Sequence, residues 1–305
     1  VWNLPATLAL SAVVSIATLQ PVATVKIGKT ADWVAVTPDA VWVGSTTPNA
    51  VHRIDPLTNT EAATVAVPGE PCAGLVTGFG SLWVPLCATQ PVLARVDLAS
   101  NRLQAVFSVG TAAECGIAAS DDSLWLVTDA AGSLARIDPA TGAIRQTVKL
   151  PAGSCNPRFS AGVVWVTNAK GAELTAVAAD TGTILASIAT GPNPRFLTYG
   201  AHSIWTLNQG DGSLTRVDIS TRRAIASIPL GTPGHGGDIA FGANVIWTTM
   251  ANIPLTATAT QTNTVLRQWR GPGGDSLAIG HGAIWLTDYH KGTLTRLRLE
   301  DALAR

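Results

Sequence analysis

Two copies of one tetrapeptide carry the most distinctive side chains of this sequence. They are Asn156-Pro157-Arg158-Phe159 and Asn193-Pro194-Arg195-Phe196. Arginine presents a planar fork of donors that matches carboxylates and phosphates. Arg158 and Arg195 therefore predict a site for an anionic small ligand or for an acidic loop of a partner. The competing use is internal, because a guanidinium taken out of water needs an Asp or Glu beside it. A second element is the glycine-rich run Pro233-Gly234-His235-Gly236-Gly237-Asp238, which offers an imidazole and a carboxylate. It lacks the Lys-Ser/Thr of a phosphate loop, and the sequence has no GxSxG elbow and no HExxH. His235 and Asp238 join the two arginines as candidate ligand-binding residues. The plain alternative for His235 is a hydrogen-bonded loop histidine.

The elements that must position these residues are set by tryptophan. Trp42, Trp83, Trp125, Trp165, Trp205, Trp247 and Trp285 recur every 38 to 42 residues. Each lies early in an alternating segment such as AVWVGS, SIWTLN or AIWLTD. Alternation is the signature of a half-buried strand. A period near 40 is that of a four-stranded propeller blade. Ten to twelve residues after each Trp comes a second strand, as in VHRIDP, LARIDP and LTRVDI. Turn residues follow it, then a third strand such as RQTVKL or AIASIPLG, and a short inner strand then precedes the next Trp. The predicted fold is all-β: a single seven-bladed propeller of four-stranded blades. The last repeat stops after its third strand, and Val22–Gly28 matches the missing fourth, so an N-terminal strand closes the ring and hides two edges. The domain boundaries expected are an uncharged N-terminal extension, 1–20, and a propeller, 21–305.

The segments SLWLVTDAAGSLARIDPATGAIRQTVKL and SIWTLNQGDGSLTRVDISTRRAIASIPLG resemble the YncE-like and virginiamycin B lyase-like seven-bladed propellers. The resemblance extends over residues 21–299. It implies the fold, and it implies a functional face at the channel mouth, built from loops before the inner strands and after the Trp strands. The lyase branch implies a His before one inner strand, and a second His and a Glu in the next blade, together holding Mg²⁺. His235 matches the first place. Asp275 stands where the second His is expected and Asp288 where the Glu is expected. His235, Asp275 and Asp288 are thus candidate catalytic residues. Asp275 and Asp288 are also candidate ligands for a divalent cation. The general-base imidazole is missing, which argues against lyase chemistry; His290 is a weak substitute.

Four cysteines, Cys72, Cys87, Cys115 and Cys155, form no CxxC pair and allow three disulfide pairings. Their places at blade entries favour Cys72–Cys87 and Cys115–Cys155. An even cysteine count and a first residue, Val1, that is not methionine predict an exported protein, periplasmic or secreted. Lys+Arg and Asp+Glu are both 20, so nothing suggests nucleic acid as a partner. Residues 1–25 carry no charge; Leu8–Leu19 is apolar but diluted by polar residues, predicting an extension that packs on something, with membrane contact at most peripheral. The expected function is a non-catalytic extracytoplasmic module that binds a protein or a small ligand, within a larger assembly reached through residues 1–20. The alternative is a metal-dependent lyase or hydrolase at the channel mouth. No cofactor is expected beyond that possible cation.

Overall fold

The computed structural model describes residues 13–87 and 90–304. Its strands form seven sheets, five of them built from a segment of about one tryptophan period and two completed by strands from the N-terminus. The first blade runs Thr30–Thr37, Ala40–Thr46, Ala50–Asp55 and Thr60–Ala66 from the central channel outwards. The fourth and fifth blades repeat this from Ser154 to Ala189 and from Pro194 to Pro229. The seventh blade is composite. Leu277–Gly280, Ala283–Asp288 and Thr293–Arg298 are completed by Pro21–Lys26, which pairs antiparallel with Thr293–Arg298. The N-terminal strand therefore closes the ring.

All seven tryptophans are at most 1% exposed and lie in the second strand of their blades. Four indole N–H groups donate to the carbonyl five residues earlier, at the end of the inner strand: Trp83 to Gly78, Trp205 to Gly200, Trp247 to Gly242 and Trp285 to Gly280, at 3.0 to 3.2 Å. Glycine is needed there for a second reason. A Cβ on Gly200 would lie 2.1 Å from the Phe241 ring, and one on Gly242 would lie 2.3 Å from Ile279. The missing side chain lets the next blade's inner strand pack closely, so one residue serves both the indole and the blade interface.

The extension ahead of the closing strand packs on the propeller from Val13 onwards. Val13–Ser15 runs parallel to Gln268–Arg270 and adds a fifth strand to the sixth blade. Ile16–Thr18 forms one 3₁₀ turn, and Leu19 enters a core shared with Trp269, Leu297 and Ala302. Covering a sheet edge in this way removes a row of open backbone groups. The part of the expected extension before Val13 lies outside the described residues.

Candidate functional site

The inner strands surround a cavity of about 460 Å³ on the propeller axis. Three of these strands bulge near the mouth. The register shifts between Asp32 and Val34, between Cys155 and Pro157, and between Pro194 and Phe196. A bulge re-aims the side chain it inserts. Trp33 and Asn156 occupy two of these bulges with left-handed backbone, at φ of 56° and 42°. The Trp33 ring lies 6.1 Å from Phe196, tilted by 57°. Those residues belong to the first and fifth blades, which are not neighbours, so the contact crosses the channel. Arg158, Tyr199, Asp238 and Phe241 also line the cavity.

Polar side chains lock the mouth together. Asn156 accepts from Gly116 N at 2.7 Å and donates to Arg195 O at 2.6 Å, tying the third, fourth and fifth blades. Asp238 accepts from Ser276 Oγ at 2.8 Å and from Leu277 N at 3.2 Å, and Ser276 Oγ accepts from Val34 N at 3.3 Å. That second chain ties the sixth, seventh and first blades. Asparagine and aspartate suit these posts because each satisfies a backbone donor at the entry to another blade's inner strand.

The two arginines expected to act together are used differently. Arg195 Nη2 bonds Glu114 Oε2 at 3.1 Å, and its guanidinium lies 5.7 Å from the Phe196 ring centre. It is an internal strut between the fifth and third blades. Arg158 has no hydrogen-bond or ion-pair partner among the described residues. It is enclosed by the ring yet open to cavity solvent. Enclosure pushes its guanidinium below the usual arginine range, while the Asp238 carboxylate pulls it back up. Asp238 in turn is pushed up to about 6 by burial, against the pull of its hydrogen bonds and Arg158. Asp32 is pushed up to about 8, again by burial first, with Asp275, Asp238 and Glu114 adding repulsion against the bond from Trp33 N. The mouth is therefore crowded with carboxylates, and Asp32 is largely neutral at pH 7.

Asp275 and Asp288 lie close together in the seventh blade, each with its own hydrogen-bond partner. Asp288 pairs with Lys291 Nζ at 2.9 Å and accepts from Lys291 N. Asp275 accepts from Tyr289 N at 2.9 Å. His235 is exposed in its glycine-rich loop and makes no hydrogen bond among the described residues. No group of three or more His, Cys, Asp or Glu among the described residues is arranged to hold a metal ion. Cys72 bonds Cys87 within the second blade, where its loop interrupts the inner strand between Glu70–Pro71 and Val76–Gly78. Cys115 bonds Cys155 across the third and fourth blades, with Cα atoms 5.1 Å apart.

One constellation escaped sequence reasoning. His52 Nε2 lies 2.8 Å from Ser45 Oγ, and His52 Nδ1 lies 3.0 Å from Glu61 Oε2. This is the order of a Ser–His–acid triad. The environment is wrong for attack. Ser45 and His52 are each 2% exposed, and Ser45 Oγ donates to Pro48 O at 2.8 Å. The hydroxyl hydrogen is committed to a carbonyl, and no substrate reaches the oxygen. The trio is a satisfied polar core inside the first blade. Its only sequence signal was Ser45, His52 and Glu61 on successive strands, with nothing to show that all three side chains turn to one side.

The family model described as "Outer membrane protein assembly factor BamB" matches residues 89–302. Among solved structures, the crystal structure of BamB from Moraxella catarrhalis is similar, with a TM-score of 0.66 and 11% identity over 92% of this chain and 100% of that one. At that identity the likeness speaks to the fold alone. The comparison with curated proteins found no match.

Proposed function

This chain belongs to the family described as outer membrane protein assembly factor BamB, and on that premise we propose that it is a non-catalytic, extracytoplasmic interaction subunit of a larger assembly. The observation that carries the reading is the family match over residues 89–302, through the third to sixth blades, three of the four strands of the seventh and the outer two strands of the second. Two disulfides support a compartment outside the cytoplasm, because reducing conditions disfavour them. The bonds that Asp275 accepts from Tyr289 N and that Asp288 makes with Lys291 support binding over catalysis. The finer likeness to YncE-like and virginiamycin B lyase-like propellers stays within this proposal as a guide to where the functional face lies. Residues 13–19 serve their own sixth blade, so a partner contact by the N-terminal extension falls to residues 1–12.

The test is the native mass of the protein in extracts of its source cells, with mass spectrometry of what travels with it. A defined assembly much heavier than 31.4 kDa supports the reading. A free monomer, unchanged by crosslinking before extraction, overturns it.

A further inference from the structure

We propose that the axial cavity is a binding site for a small monocarboxylate with a flat apolar body, its carboxylate held by Arg158. This does not depend on the assembly role proposed above. Three observations meet here. The cavity, about 460 Å³, falls within the size range of small-molecule sites. Aromatic residues from four blades line it: Trp33, Phe159, Phe196 with Tyr199, and Phe241. Of the two charged side chains that line it, Arg158 and Asp238, Arg158 has no hydrogen-bond partner among the described residues. Asp238 does not fill that capacity: its oxygens accept from Ile239 N, Ser276 Oγ and Leu277 N, and it makes no hydrogen bond or ion pair with Arg158.

The surroundings select the class of anion. One guanidinium fork matches one carboxylate through two parallel bonds. Asp275, Glu70 and Glu114 all act on Tyr289 and so share the mouth, beside a largely neutral Asp32. Such a rim repels phosphate dianions far more than a single negative charge. The apolar walls then favour a ligand whose remainder is hydrophobic.

Charge balance adds a signature. Arg158 on the fourth blade faces Asp238 on the sixth, and Asp238 also faces Asp32 of the first blade and Ser276 of the seventh. With Asp238 ionised, Arg158 is already balanced, and a bound anion leaves one negative charge in excess. As pH falls towards 6, Asp238 takes up a proton and the bound anion becomes the balancing charge. Affinity therefore rises as pH falls.

The experiment is calorimetric titration of the intact protein with benzoate, at several pH values above the ionisation range of benzoate itself. Saturable binding, tighter at lower pH, is expected, and Arg158→Met should weaken it by between about tenfold and a hundredfold. Arg158→Lys should fall between the two, keeping the charge and losing the fork. Because Arg158 supports no neighbour, the thermal midpoint of R158M should equal or exceed that of the parent. No binding to the folded parent at up to about ten millimolar benzoate overturns the proposal. Equal affinity of the parent and a folded R158M does the same, as does a lowered midpoint for R158M that marks the side chain as a strut.

Discussion

Arg296 of the seventh blade donates from Nη1 to Asn59 Oδ1 of the first blade at 2.7 Å, across the joint where the ring closes. Its guanidinium lies 5.2 Å from the Trp285 ring centre in the same blade. The same relationship joins the fifth blade to the sixth. There Arg216 lies over Trp205 at 4.7 Å and donates to Thr260 O and Asn263 Oδ1. Arg95 and Arg136 do likewise for the joints that follow the second and third blades. Each arginine sits opposite its tryptophan in the strand register, so one cross-strand pair becomes an inter-blade clamp.

The clamp predicts a graded set of stabilities. Arg296→Met should cost about 2 kcal/mol, the worth of a charge-assisted hydrogen bond plus a partly desolvated cation–π contact. Urea unfolding of the parent and variant checks this. The fourth and sixth blades have Ala176 and Ala257 where the other five have arginine, and the turn that an arginine at 176 would reach carries Arg222 in place of Asn or Gly. Ala176→Arg alone should therefore give no stabilisation, since two guanidinium groups would meet. The double variant Ala176→Arg with Arg222→Asn should gain about 1 kcal/mol over the sum of its single changes.

The mouth carboxylates predict how stability varies with pH. Asp32 and Asp238 have folded values near 8 and 6, above their unfolded values, so the folded protein binds more protons between about pH 4 and 8. Stability must then fall as pH rises through that window, by a total on the order of a few kcal/mol. Asp218, held down to about 2 by Ser220 and Thr221, acts in the opposite sense as pH falls from 4 towards 2. Maximum stability is expected near pH 4 to 5. Chemical denaturation at stepped pH checks this, and Asp32→Asn should flatten the slope above pH 6. A stability that rises steadily from pH 5 to 8 would contradict the assignment.

The Ser45–His52–Glu61 trio in the first blade predicts structure without chemistry. Ser45 should resist fluorophosphonate labelling in the folded protein, because its oxygen is sealed and its hydrogen bonds Pro48 O. His52→Ala should cost about 2 kcal/mol or more, from a lost imidazole and from Ser45 and Glu61 left without their partner. Labelling at Ser45, read by peptide mass spectrometry, would show that the first blade opens.

Much of the architecture was written in the chain. Seven tryptophans at a near-constant interval and alternating apolar residues are local properties that each blade repeats. They determined seven four-stranded blades, and the unmatched strand at Val22–Gly28 determined how the ring closes. The site was legible only in part. The sequence identified Arg158 and Arg195 as equivalent, since each follows Asn-Pro and precedes Phe. Tertiary structure separated them: Glu114 lies 81 residues from Arg195 along the chain but bonds it across the channel, and no described carboxylate bonds Arg158. Position in a repeat sets which way a side chain points. What it meets there is supplied by other blades, and only closing the ring brings those groups together. For the same reason Ser45, His52 and Glu61 meet without any motif to announce them.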